Sequence, residues 1–467
     1  MKLEQPIFFQ PSRALPATRL QRLGDALRQH RTLIVSIQWA VVIFYLLLVT
    51  VPAFLPLPDS DSSVLNNLTL LAQFMFWGIW WPFVIVSTLT LGRVWCGVFC
   101  PEGTLTELAS RHGLGRPVPR WLKWGGWPFA AFVLTTVYGQ LVSVYEYPKA
   151  VLLVLGGSTV AAVAVGLVYG RGKRVWCRHL CPVSGVFALL ARLAPVHFKV
   201  DRAQWDAAAT IHPLPINCAP LVDMRRMQSG SQCHMCGRCS GHRDAVKLSA
   251  RIPGAEVANM RPAEANVWEA RLLVFGIIGT AVGAFQWSSS PWFVALKTQI
   301  ATWLIERDSY ALLQDNAPWW LLTHYPEAND VFTWLDGLGV LAYIAAVALL
   351  LGGWITLWLR AAGALLPGSA KQNARWLAYT LIPMGGLGVF LGLSALTVTL
   401  LKAEGLALPW LPEVRGALLA LAALWSLWLG WRMVQAIELR KKILALVALA
   451  AAVGGNVFAW VLLFYIF

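Results

Sequence analysis

The sequence predicts an all-α polytopic membrane protein of about nine transmembrane helices with one small polar segment. Three observations predict it. The 467 residues are 57% hydrophobic and only 13% charged, and their mean hydropathy of +0.59 is too high for an ordinary soluble protein. Apolar runs of about 20 residues, the length a bilayer helix requires, recur along the chain. The formal charge of +15 concentrates in alternate loops, as the positive-inside rule demands, so no nucleic-acid partner is expected. The 25 tryptophans suit the membrane–water interface.

The first run, Thr32 to Leu55, reads as a retained helix, because the Arg-rich residues before it have no apolar core of their own. Arg13, Arg19, Arg22, Arg28 and Arg31 precede it and Asp59 and Asp61 follow, which predicts a cytoplasmic N-terminus. The second run, Leu68 to Leu91, returns to a loop with Arg93, Arg111, Arg116, Arg120 and Lys123. Trp124–Val144 and Ala150–Tyr169 form a hairpin that comes back to Arg171, Lys173 and Arg174. Hydropathy then falls until Asn266, and the fifth run, Val267–Trp287, crosses to an acidic loop near 288–330. Runs at Val331–Leu359, Trp376–Leu401, Gly416–Ile437 and Ile443–Phe467 complete the count and place the C-terminus in the periplasm.

Chemistry concentrates in the polar segment. Cys233, Cys236 and Cys239 have C-x-x-C-x-x-C spacing, with Cys218-Ala-Pro upstream. Two-residue gaps let successive thiolates converge on a [4Fe-4S] cubane, and a distant Cys-Pro supplies the fourth sulfur in ferredoxins. Zinc accepts four thiolates too, although its knuckles usually come as paired C-x-x-C. His234 reads as a neighbour that tunes the site. Arg238, His242 and Arg243 are either countercharges to a negative centre or a solvated basic loop.

The remaining four cysteines lie in a repeat. G-R-V-W-C-G-V-F-C-P (92–101) and K-R-V-W-C-R-H-L-C-P (173–182) share R-V-W-C-x-x-x-C-P, and each follows a returning span. If each C-x-x-x-C lies on a helical turn, Cys96 with Cys100 and Cys177 with Cys181 face one side, and pseudo-twofold packing would converge all four. A shared metal or cluster site, redox-active dithiols and buried structural cysteines are the open readings. A stable disulfide is disfavoured in a reducing cytoplasm. His179 reads as a hydrogen-bonding neighbour.

With these motifs the chain resembles the NapH and NosR family of membrane polyferredoxins over about residues 70–250. The phrase C-H-M-C-G-R-C-S-G-H-R-D-A-V (233–246) is most similar to the FtrD-type subunit of periplasmic iron-uptake systems. The periplasmic flavin domain of NosR-like members and the second full ferredoxin motif of NapH-like members have no counterpart here. The resemblance implies an inner-membrane electron-transfer component rather than a stand-alone enzyme. Its expected partners are a periplasmic iron-binding protein or cupredoxin and a membrane permease.

The expected organisation is a cytoplasmic basic tail (1–31), four helices with the two C-x-x-x-C-P motifs (32–194), a cytoplasmic ferredoxin-like 4Fe-4S segment (195–266), and five helices with the periplasmic loop (267–467). None of the eight histidines falls inside an expected span, so a bis-His haem wire is excluded and a quinone, flavin, metal centre or partner must bridge the bilayer. Alternative functions are a quinol dehydrogenase subunit feeding a periplasmic reductase, and a transporter or assembly scaffold with structural metals. In the acidic loop, His324 and Glu327 are candidate polar groups of a docking surface beside Trp319 and Trp320, against the simpler reading of an interfacial aromatic belt.

Overall fold

The computed structural model describes residues 18–59, 61–208, 216–227, 229–435 and 437–467; Arg13 and His212 lie outside them. Helix α1 (Arg19–Gln29) opens on a capping box in which Thr18 Oγ1 accepts from Gln21 N while the Gln21 side chain accepts from Thr18 N. Its Gly24 faces Ser240, Leu248 and Phe198, so the helix lies down on the polar segment. The chain then enters α2 (Arg31–Phe54), followed by α3 (Leu68–Leu91), α4 (Pro101–Arg111), α5 (Trp127–Leu141) and α6 (Pro148–Tyr169).

After α6 comes a single turn, α7 (Val175–His179), and the polar segment contributes an antiparallel pair, β1 (Val196–Val200) with β2 (Val246–Ala250), in which Phe198 stands opposite Leu248. The second half is built from α8 (Val267–Ser289), α9 (Pro291–Ile305), α10 (Trp334–Ala364), α11 (Ala370–Ala403), α12 (Leu411–Met433) and α13 (Leu439–Ile466).

Among the described residues eight helices are long and apolar enough to cross a membrane, against the nine expected. The difference is α5, whose 15 residues rise only about 22 Å. Its start is set by local chemistry: Gly126 caps the helix and Pro128 sits in its first turn, so the run around Trp124 is turned instead of helical. A second departure lies in the acidic loop, which contains α9, a 15-residue apolar helix started by the Ser290 cap and Pro291. Trp292, Leu296 and Trp303 point outward from it. A helix this short and this apolar suits the membrane interface better than open solvent.

Helices pack closely where small residues permit it: a Cβ on Gly279 of α8 would lie 2.9 Å from the Ala348 Cα of α10. The two ends of the bundle differ in character. At one, Tyr147 Oη donates to Asp330 (2.8 Å) and Val64 N to Glu404. At the other, Arg192 bridges Glu256 and Glu269, both at 3.0 Å. All the cysteine motifs sit at this second, basic end.

Candidate metal centre

All eight cysteines are free thiols, and the fold sorts them into two quartets. Cys96, Cys100, Cys177 and Cys181 line one cavity between the repeat segments. Neither motif is a regular α-turn. Cys96 sits in a wider π-turn, Trp95–Phe99, while Cys100 has extended backbone and caps α4, its Sγ accepting from Gly103 N at 3.3 Å. The cause is Pro101, which forces the residue before it out of the helical region. Cys177 lies on α7 and Cys181 beyond its end.

The R-V-W-C repeat carries more than its cysteines. Arg174 of the second copy donates from Nη1 to the Cys96 carbonyl (2.6 Å), and Arg93 of the first donates from Nη2 to Ser184 Oγ (2.8 Å), which donates to the Cys177 carbonyl (2.7 Å). Each copy's arginine thus braces the other copy's first cysteine. Burial pushes the thiol of Cys177 up to about 12, with Arg174 opposing the rise and Cys96 and Glu102 adding to it. Cys181 is raised by burial, then by Glu102 and the other three thiols. Thiols in so apolar a place give up their protons only when a positive centre takes the protons' place, which is what metal binding provides.

Cys218, Cys233, Cys236 and Cys239 form the second quartet. The tight loop uses left-handed backbone at Met235 (φ 52°) and Gly237 (φ 71°), and Cys233 Sγ accepts from Met235 N at 3.4 Å. Lys173 Nζ holds the Cys218 carbonyl at 3.2 Å. Burial raises Cys233 to about 12, with Cys236 the next cause; Cys239 is raised by burial and then by Cys233, Cys236 and Cys218. Phe198, Met235, Val246 and Leu248 wall this loop on one side.

The quartets meet at Gly97. A Cβ there would overlap the His234 carbonyl and lie 2.9 Å from Cys236 N, so only glycine lets the first motif touch the C-x-x-C-x-x-C loop. Arg93 Nη1 adds a bond to the Ser231 carbonyl (2.8 Å). A buried triad locks the joint: Glu107 accepts from Arg174 (2.8 Å) and from Arg238 (2.7 Å). Burial by itself would raise the Glu107 carboxyl, but the two arginines hold it below its ordinary 4.5. Glu107→Gln strands two buried guanidiniums and is expected to cost about 3–5 kcal/mol, read as a lower Tm. Because the folded-state value is depressed, the stabilisation from ionised Glu107 is present above pH 4.5 and fades as pH falls through the lower folded value. The melting difference between wild type and variant is therefore expected to be constant from about pH 7 to 5 and to shrink only below that.

Of the polar neighbours expected from sequence, His234 is buried with Nδ1 unpartnered, and Arg238 belongs to the triad instead of a solvated loop. Arg243 and His242 both lie against Trp205, outside the quartet. His324 and Glu327 sit at the opposite end of the bundle, where His324 pairs with Val331 across a short strand bridge. The structure does not bring them near any cysteine. Glu102, Glu107, Arg93, Arg174 and Gly97 are not legible as site residues in the sequence; the repeated Arg before V-W-C is the one available signal.

Among the described residues no three His, Cys, Asp or Glu side chains close tightly enough to clasp a single metal ion. A zinc knuckle would hold its sulfurs roughly 3.7 Å apart, given zinc–sulfur bonds of about 2.3 Å. A [4Fe-4S] cubane takes its four thiolates at separate irons and so needs them farther apart than a single zinc ion does.

Behind the first quartet the cavity, of about 210 Å³, is lined by aromatic rings. Tyr145, beside the acidic end, meets Trp77 at 4.5 Å between centroids; Trp77 meets Phe76 at 4.9 Å, Phe76 meets Trp80 at 5.8 Å, and Trp80 meets Trp95 at 5.0 Å. Glu102 sits where the cavity reaches the thiols. It accepts from Ser158 Oγ (2.7 Å) and Trp176 Nε1 (3.0 Å), and burial raises its carboxyl.

A 4Fe-4S binding domain family matches residues 73–123 and 153–201, one segment on each copy of the repeat. The chain is similar to membrane polyferredoxins of the NapH and NosR type. The chain is 27% identical over 237 residues to YccM of Escherichia coli K12, a protein named for a candidate role in electron transport; the match covers 44% of the chain and 65% of YccM. Ferredoxin-type protein NapH of Haemophilus influenzae is 26% identical, over 42% of the chain and 73% of its own length. Regulatory protein NosR of Pseudomonas aeruginosa is 24% identical, over 34% of the chain and 25% of its own length. The chain thus spans less than two thirds of YccM and a quarter of NosR. No solved structure matches it. The domain match ends before Cys218, so the C-x-x-C-x-x-C quartet stands on its spacing and its placement.

Proposed function

We propose that this multi-pass iron–sulfur protein relays single electrons between a periplasmic redox partner and the cytoplasm, with the basic end of the bundle facing inward. What carries the reading is the joint at Gly97, where two four-thiol sets are packed against each other. In this reading Cys96, Cys100, Cys177 and Cys181 hold one [4Fe-4S] cluster and Cys218, Cys233, Cys236 and Cys239 another. Each supplies one-electron redox chemistry when bound. Arg93 and Arg174 fix the motif backbones and place positive charge beside the anionic centre. Glu107 ties Arg174 to Arg238, so the two motifs cannot separate independently. The apolar walls exclude water, which sets the potential of such a centre as much as its ligands do. The similarity of residues 233–246 to FtrD-type subunits supports iron uptake as the setting, with a cupredoxin or iron-binding protein as the periplasmic partner.

The aromatic cavity favours a second reading, a quinol dehydrogenase subunit. An apolar, aromatic-lined space that includes Cys100 and a buried carboxyl suits a quinone ring, with Glu102 placed to hold or pass a proton.

Proteoliposomes loaded with dithionite and surrounded by ferricyanide, which does not cross lipid, test the main reading. Wild-type protein is expected to speed external ferricyanide reduction at least tenfold over empty liposomes, and Cys177→Ser to remove the gain. Equal rates with and without protein would refute it. A rate that needs added quinone would favour the dehydrogenase.

A further inference from the structure

A cavity of about 110 Å³ at the basic end opens onto Gly97 and Cys236, with Arg28, Arg31, Gln38 and Arg238 around it. Next to it a smaller hollow shares Gln38 and Arg238 and adds Arg111. Arg28, Arg31 and Arg111 are exposed and pair with no carboxylate among the described residues. The acids nearby are already engaged: Glu107 is closed inside the triad, and Asp25 accepts from Ser240 Oγ at 2.9 Å. Thus one residue of the second thiol set lines an opening shared by Leu27, Ile34 and Val35 and by Arg28 and Arg31, whose guanidiniums form no ion pair among the described residues. Cations of this kind steer an oppositely charged partner and orient it over the opening.

We propose that this face is the docking surface for a small acidic one-electron carrier protein of the ferredoxin type. Arg28 and Arg31 meet its carboxylates, and Cys236 marks the point of closest approach to its redox centre. The exchange moves one electron and makes no bond: one partner is oxidised as the other is reduced. The inference rests on the electron-transfer reading above and gives it a cytoplasmic partner. Anionic lipid headgroups would also attract these arginines, but a headgroup site has no use for a cavity lined by Cys236.

The test uses the full-length protein in phosphatidylcholine nanodiscs, with plant-type [2Fe-2S] ferredoxin as acidic probe and basic cytochrome c as control. Binding is read by interferometry and electron exchange by stopped flow. The ferredoxin is expected to bind, and to bind roughly tenfold more weakly in about 0.5 M salt or to the Arg28→Glu/Arg31→Glu variant. The milder Arg28→Gln/Arg31→Gln variant is expected to fall between, with iron content unchanged in both. Cytochrome c is expected not to bind. Absence of ferredoxin binding, equal binding of cytochrome c, or a variant that alters only the phosphatidylglycerol retained on purification would overturn the proposal. Those results would leave the electron-transfer reading standing as long as iron content and the EPR signal were intact; loss of iron from the wild type would sink that reading instead.

Discussion

Cys233→Ser and Cys236→Ser, made separately, are each expected to remove about half of the bound iron and one of two reducible EPR signals. The expectation follows from how the eight thiols divide. Cys233, Cys236 and Cys239 share a loop with Cys218 as the distant fourth, while the repeat cysteines line a different cavity. Serine keeps the size of the side chain but is a poor soft ligand for iron, so the affected set falls to three sulfurs. The other set keeps all four. If the eight thiols instead served a single site, either substitution would empty the protein of iron. If they were only structural, neither would change it. Iron-dependent growth of cells carrying each variant extends the test to iron uptake.

Gly97→Ala is expected to have the second largest effect and to leave iron content nearly unchanged. The added Cβ has no room between the His234 carbonyl and Cys236 N. Both are backbone atoms of a loop pinned by left-handed residues and by the Arg93 bond to Ser231, so the loop must shift as a unit. Overpacking of this kind costs about 1–3 kcal/mol. Its functional signature is separation of the two thiol sets: each remains complete, while ferricyanide reduction across the liposome membrane falls by about tenfold or more. A variant that lost iron from both sets would point to general unfolding, which a Tm measurement would register.

The helices are legible in the sequence because a bilayer imposes a length and an apolar composition that can be counted residue by residue. Leu68–Leu91 has the ends its hydropathy predicts, and the others shift by a few residues. The short α5 and the apolar α9 are not legible. Their ends depend on a glycine cap and on proline and serine starts that compete with the hydropathy signal. The grouping of the thiols is legible too, since R-V-W-C-x-x-x-C-P appears twice and one tight run accounts for the rest. The partnership between the groups is not. It depends on Arg93 reaching Ser231 and Ser184, and on Arg174 and Arg238 sharing Glu107, contacts between residues 67 to 138 positions apart. Spacing within a motif reveals which thiols can group; only the fold reveals what is placed against them.

Iron, acid-labile sulfide and zinc content of the anaerobically purified protein, with EPR of the reduced sample, decides whether the eight thiols hold two clusters. Two [4Fe-4S] centres predict about eight iron and eight sulfide per chain, no stoichiometric zinc, and signals that vanish on oxidation. Stoichiometric zinc without sulfide, and no EPR signal on reduction, would contradict it.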